Sequence, residues 1–177
     1  LVDPATGAEI TEAGQVGEMR LAGGTIFSGY WRSPELNDAA FDKDGYFSTG
    51  DLFEIAGEGA LSRYYRFVGR SKEIIVRGGV NISPPMLDDL IVGHPKIREA
   101  ATVGIADDKL GERVAVAVAA NAGEEISLSD LSAWLGEQHI AIFKHPEMLV
   151  TVDQLPRNAM NKVMRDELRE IVIAKLA

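Results

Sequence analysis

Lys162 follows the Pro- and Asn-containing stretch Leu155-Pro156-Arg157-Asn158-Ala159-Met160-Asn161 and precedes a segment whose apolar residues recur at helical spacing. A cation at the start of a helix opposes the helix dipole, which favours cations at the other end. A lysine placed against that preference is a candidate for anion chemistry, although taken alone it reads more readily as a solvated loop residue. Three upstream segments carry residues of a matching kind. Ser48-Thr49-Gly50-Asp51 sets a carboxylate just beyond a glycine on a strand. A carboxylate that accepts two hydroxyls is how proteins grip a ribose diol, though this motif taken singly reads more readily as an aspartate capping a turn. Gly69-Arg70-Ser71-Lys72 offers a rigid guanidinium fork and a flexible ammonium, or else two solvated residues of a linker. Arg77-Gly78-Gly79-Val80-Asn81 supplies a hairpin tip stripped of side chains, open to close approach by a thin ligand, yet identical in sequence to a plain type I′ turn.

Composition restricts what these groups can serve. The chain has 177 residues, 46% of them hydrophobic, enough for one domain of usual size or two small ones. A formal net charge of -9 argues against nucleic-acid and anionic-membrane partners, which need a basic footprint. No apolar run reaches the length of a transmembrane segment. With no cysteine, disulfides, thiolate catalysis and Cys-based zinc sites are excluded, and a reducing compartment fits; a cytoplasmic protein is the expectation. The three histidines, His94, His139 and His145, lack ligand spacing and read as structural, so no metal site is expected within the chain. The sequence opens on Leu1 in the turn Val2-Asp3-Pro4-Ala5-Thr6-Gly7, with no signal-peptide pattern; a fragment of a larger protein is the expectation.

The elements that must position these residues fall into two groups. Residues 1–71 read as short strands and turns with one helical turn, Ser33 capping and Pro34 at the first helical position. Residues 72–177 read as a small α+β domain: a β-hairpin around Gly78 and Gly79, then a mixed three-stranded sheet flanked by helices. Strands are predicted over 100–105, 114–120 and 148–152, and helices over 84–93, from Ser127, and from about Lys162. The second strand alternates Val with Ala, so both of its faces should be buried. Trp134 lies on the apolar stripe of its helix and belongs to the core.

Four segments occur in a fixed order: Thr-Gly-Asp, Gly-Arg-x-Lys, Arg-Gly-Gly-x-Asn and Leu-Pro-Arg-Asn-x-x-x-Lys. In this the chain resembles the C-terminal portion of the adenylate-forming, AMP-binding enzymes. Across Gly69–Ile82 and Lys109–Val114 it is most similar to bacterial fatty-acyl and medium-chain acyl-CoA synthetases. The resemblance covers nearly the whole chain. It does not extend to the family's Ser/Thr/Gly-rich phosphate loop or its Tyr-Gly-x-Thr-Glu segment, neither of which occurs in these residues.

The resemblance implies an acid–thiol ligase that activates a carboxylic acid, fatty or otherwise apolar, with ATP and passes the acyl group to coenzyme A. It implies that Asp51 holds both ribose hydroxyls and that Arg70 also contacts the nucleotide. Lys72 becomes the hinge of a mobile small domain, and Lys162 the catalytic lysine of adenylation. Gly78 and Gly79 would line the pantetheine tunnel in the second half-reaction. Mg2+ would accompany ATP, held outside these residues, and the 177 residues alone should be inactive. Two departures stand out: Asn161 replaces the glycine usual before the lysine, and Met86-Leu87 replaces a Glu-Val/Ile pair. Asn is among the least costly replacements where the backbone is left-handed. Lys144, in a segment like the family's Tyr/Phe-Lys-x-Pro loop, is assigned no catalytic part. A carrier-protein phosphopantetheine as acceptor, or a fragment with no catalysis of its own, remain the alternatives. Acyl chain length and oligomeric state are left open.

Overall fold

The computed structural model describes residues 1–176, and the chain divides after Lys72 into two compact units. Alternating hydrophobicity in the first unit produces an antiparallel three-stranded sheet in the order β1 (Val16–Leu21), β2 (Phe47–Ile55), β3 (Tyr65–Arg70). Helix α1 (Pro34–Ala40) starts at its proline as predicted. The Ser33 hydroxyl makes no cap bond, because it is turned to the Trp31 carbonyl at 3.2 Å. Phe27, Phe41 and Phe47 pack edge-on or tilted with ring centroids 5.1–5.5 Å apart, and Leu52 and Ile55 are buried. β3 runs two residues past Val68, where its apolar residues end. Arg70 is therefore a strand residue with a fixed partner and not a linker residue.

The second unit is organised by β7 (Gly111–Ala120). It pairs antiparallel with β6 (Ile97–Asp107) and parallel with β8 (Met148–Thr151), the predicted mixed three-stranded sheet. The hairpin β4 (Ile75–Arg77) and β5 (Val80–Ile82) joins it through the single pairing Arg77↔Gly111, completing a five-stranded sheet. Both faces of β7 are buried, as its alternation predicts. Val114, Val116 and Val118 meet Leu87 and Ile91 of α2 (Pro84–Val92) and Leu131 and Leu135 of α3 (Leu128–Glu137). Ala115 and Ala117 leave room on the opposite face for Leu168 and Val172 of α4 (Arg165–Leu176). The architecture is α+β, with helices on both faces of the sheet.

Local chemistry fixes the helix starts. The Ser83 hydroxyl accepts from the Met86 N–H at 3.3 Å, and Ser127 with Asp130 forms a complete capping box. Two of the three histidines, His145 and His94, take part in packing and hydrogen bonding. His145 is buried, with Nδ1 2.9 Å from the Ser132 hydroxyl and Nε2 2.9 Å from the Ile140 carbonyl. The Trp134 Nε1–H donates to the Leu90 carbonyl at 2.8 Å while its ring sits against His94. Among the described residues no helix is long and apolar enough to cross a membrane.

Candidate functional site

In the first unit, Thr49, Gly50 and Asp51 divide the work of displaying one carboxylate. The Thr49 hydroxyl donates to the Met19 carbonyl at 2.7 Å and accepts from the Asp51 N–H at 3.1 Å. Gly50 takes φ +72, a conformation costly for any residue with a side chain, and its N–H is held by Glu18 Oε1 at 3.0 Å. The strand is kinked there, and Asp51 emerges directly opposite Arg70 in the β2–β3 register. The Arg70 Nε lies 3.3 Å from Asp51 Oδ1, with the two side chains 59% and 33% exposed. A pair so open to water is weakly coupled, so each group keeps capacity for another partner. An open cleft of about 430 Å³, lined by Glu18, Ser48, Thr49, Gly50, Arg70 and Lys72, lies at the same place. Lys72 is the exposed last residue of this unit. Asp51, Arg70 and Lys72 thus share one end of one sheet.

In the second unit, Gly78 and Gly79 stand at φ +56 and φ +80, as a two-residue type I′ turn requires at both central positions. Around Gly79 a side-chain Cβ would meet nothing within 4 Å, so the tip is bare. The hairpin's stem, by contrast, is tightly held. The Val76 N–H donates to Glu112 Oε2 at 2.7 Å, and the Gly78 N–H donates to the Leu110 carbonyl at 2.8 Å. Arg77 grips Glu147 through Nη2 at 2.8 Å and Nε at 3.3 Å, and Arg113 Nε reaches the same carboxylate at 3.2 Å. The Arg77 hydrogen bond, with Arg113 beside it, holds the Glu147 carboxyl below the usual range.

Lys162 lies in the loop between β8 and α4. The helix begins at Arg165, three residues after the expected start near Lys162, so Lys162 is a loop residue ahead of the first turn and not a helical one. The loop is a closed structure instead. Arg157 and Val163 form a β-bridge, and the Asn158 side-chain oxygen accepts from the N–H groups of Met160 and Lys162, each at 3.0 Å. The Asn158 N–H donates back to the Lys162 carbonyl at 2.9 Å. Asn161 takes φ +63, the left-handed conformation that Asn tolerates better than most residues. Lys162 itself is exposed, and among the described residues its ammonium enters no ion pair. A buried pair within its own unit, which would have withheld the cation from any ligand, is not formed.

Several residues around this loop carry no sequence signal beyond their type. Arg157 donates from Nη1 to the Asn161 carbonyl at 2.8 Å and from Nη2 to Glu99 Oε2 at 2.7 Å. Arg165 bonds Glu73 at 3.0 Å, the Thr102 carbonyl at 2.8 Å and Asp88 at 2.7 Å. Only the Asn158 turn was foreseeable, since Asn before a tight turn favours bonding to backbone N–H groups a few residues on. Among the described residues no group of three or more His, Asp or Glu side chains is placed to hold a metal ion.

Comparison with known proteins gives these geometries a context. Residues 87–162 match the family of the AMP-binding enzyme C-terminal domain. The medium-chain fatty-acid–CoA ligase of Escherichia coli is 36% identical over 161 residues, covering 90% of this chain and 28% of that ligase. The oxalate–CoA ligase of Saccharomyces cerevisiae is 39% identical over 158 residues, covering 89% of this chain and 28% of that enzyme. Among solved structures, ATP-bound MatB from Rhodopseudomonas palustris superposes with a TM-score of 0.83 at 36% identity, over 96% of this chain and 33% of that one. The chain therefore spans less than a third of the length of the curated relatives it matches here.

Proposed function

From a chain that is the C-terminal portion of an adenylate-forming, AMP-binding enzyme, we propose that it serves an AMP-forming acid–CoA ligase. The acid is a fatty or otherwise apolar carboxylic acid, and the working enzyme contains further residues that bind triphosphate and acyl group. The observation that carries this reading is the solvent-facing, unpaired Lys162 on a rigid loop, combined with the Asp51–Arg70 pair displayed beside an open cleft.

In this reading Asp51 accepts both ribose hydroxyls of ATP and of the acyl-adenylate, while Arg70 contacts the nucleotide with the donors its open pairing leaves free. In the first half-reaction the acid's carboxylate attacks the α-phosphorus and pyrophosphate leaves. Two anions approach and negative charge spreads over the equatorial oxygens. The Lys162 ammonium stabilises that charge, an effect whose removal commonly costs about 10²–10³ in rate. In the second half-reaction the thiol of coenzyme A attacks the acyl carbon and AMP leaves. The bare tip at Gly78 and Gly79 admits the pantetheine arm, and Lys72 is the hinge between the two poses. Mg2+ would accompany ATP, with ligands outside these residues.

The test is substrate-dependent AMP release by the longer enzyme with acids of increasing chain length, short dicarboxylic acids included. Free CoA and an isolated carrier domain are supplied in turn as acceptor. The expected result is thioester formation on free CoA, preferring apolar acids. AMP release that needs the carrier domain, or that prefers a dicarboxylic acid, would overturn the corresponding part of the reading.

A further inference from the structure

The loop that carries Lys162 is exposed along most of its length; Met160 is 74% exposed, and Ala159, Asn161 and Lys162 are exposed as well. The exposed stretch has little core contact of its own, so its shape depends on hydrogen bonds. Those within the loop, centred on Asn158, shape it but do not orient it on the domain. Two apolar anchors and one polar tie do that. Leu155 is buried under α4 with Leu168 and Val172, Val163 packs against the same cluster, and Arg157 spans from the loop to β6.

We propose that Arg157 is a positioning residue for Lys162. One arm of its guanidinium fixes the Asn161 carbonyl, which belongs to the peptide unit leading into Lys162, while the other anchors the loop to Glu99 on β6. The inference rests on the part proposed above for Lys162 and adds what aims it. The planar fork is needed because the two acceptors lie in different directions, and a single ammonium cannot serve both with the same geometry. The bond matters at Asn161 in particular. That residue is at φ +63, so the turn of the chain just before Lys162 is not one the backbone prefers by itself. With both terminal nitrogens committed inside the domain, Arg157 is not the group that meets the phosphate. The pair is also only partly shielded, with side chains 35% and 27% exposed, so its loss should leave the fold intact. Its effect should then appear in the direction of the lysine.

The experiment compares Arg157→Ala, Arg157→Lys, Glu99→Gln, Lys162→Ala and the Arg157→Ala/Lys162→Ala double variant in the longer enzyme. Acyl-adenylate formation is measured separately from thioester formation on supplied acyl-adenylate. For Arg157→Ala we expect adenylation slowed about 10–100-fold, the scale of a misplaced catalytic group. KM for ATP should be unchanged and thioester formation should run at the wild-type rate. Arg157→Lys should recover part of the loss, and Glu99→Gln should show a smaller loss of the same pattern. The double variant should be no slower than Lys162→Ala, since a group that only aims the lysine has nothing left to aim. Additive losses, equal slowing of both half-reactions, or wild-type adenylation in Arg157→Ala would each overturn the inference. If Lys162→Ala itself adenylates normally, the reading beneath it fails. If only Lys162→Ala is impaired, the inference fails alone.

Discussion

Arg165 illustrates how single side chains set the frame of the candidate site. Its guanidinium ties the first turn of α4 to Glu73, to the Thr102 carbonyl and to Asp88, whose side chain is only 15% exposed. Burial pushes the Asp88 carboxyl up, and Arg165 opposes that shift. Removing the arginine leaves an unpaired buried carboxylate, and Arg165→Ala should destabilise the protein by about 3–5 kcal/mol at neutral pH. The sign of the pH dependence follows. An acid whose folded pKa is raised contributes stability that is complete below its unfolded value of 3.8 and lost as pH rises through the folded one. The penalty should therefore be smallest below 3.8 and grow with pH, as urea unfolding at several pH values would show. A penalty that shrinks as pH rises would contradict this account. None of these partners was legible in the sequence, because they lie 92, 63 and 77 residues away. Asp51 and Lys162 were legible as candidates, since their neighbours along the chain are the glycine and asparagine turns that display them.

The hairpin shows what an element adds. Two glycines at positive φ were foreseeable from Arg77-Gly78-Gly79-Val80. That its stem joins β7 at one pairing, and is gripped by Glu112 and Glu147, was not, for both contacts are non-local. Gly79→Val should destabilise the protein by about 1–2 kcal/mol through backbone strain, whereas Gly79→Asn should cost much less. Urea midpoints would check both. In the longer enzyme, Gly79→Val should slow thioester formation more than adenylation; the reverse order would remove the hairpin from the thiol step. Glu147 adds a pH prediction at the same scale. Its carboxyl is lowered from 4.5, first by the Arg77 hydrogen bond, so it contributes stability above 4.5 that is lost as pH falls through the folded value. Glu147→Gln should flatten the acid limb of stability, and an unchanged limb would count against it. The valine–alanine alternation of β7 was the element best written in the sequence, because period-two burial needs no distant information.

The whole molecule divides into units of different self-sufficiency. From Glu73 onward the chain holds two buried clusters, one on each face of its sheet, with ten or more fully buried aliphatic side chains between them. The first unit buries only Leu52 and Ile55 among its hydrophobic residues, and leaves Tyr64 and Phe67 64% and 49% exposed. We expect a polypeptide beginning at Glu73 to unfold cooperatively by itself, and residues 1–72 alone to lack a sharp transition. Calorimetry on the two pieces would decide, and a cooperative transition in the shorter piece would contradict the assignment. At this scale the change from strand-and-turn to α+β patterning was legible in the sequence, while the relative sizes of the cores were not. What unites the scales is a single cation, held outward by a rigid loop on the self-sufficient unit. The direct measurement is acyl-adenylate formation against thioester formation from supplied acyl-adenylate, in the longer enzyme with and without Lys162→Ala. Lys162→Ala should lose about 10²–10³ in the first and nothing in the second; equal rates in both, with and without the lysine, would contradict its role in adenylation.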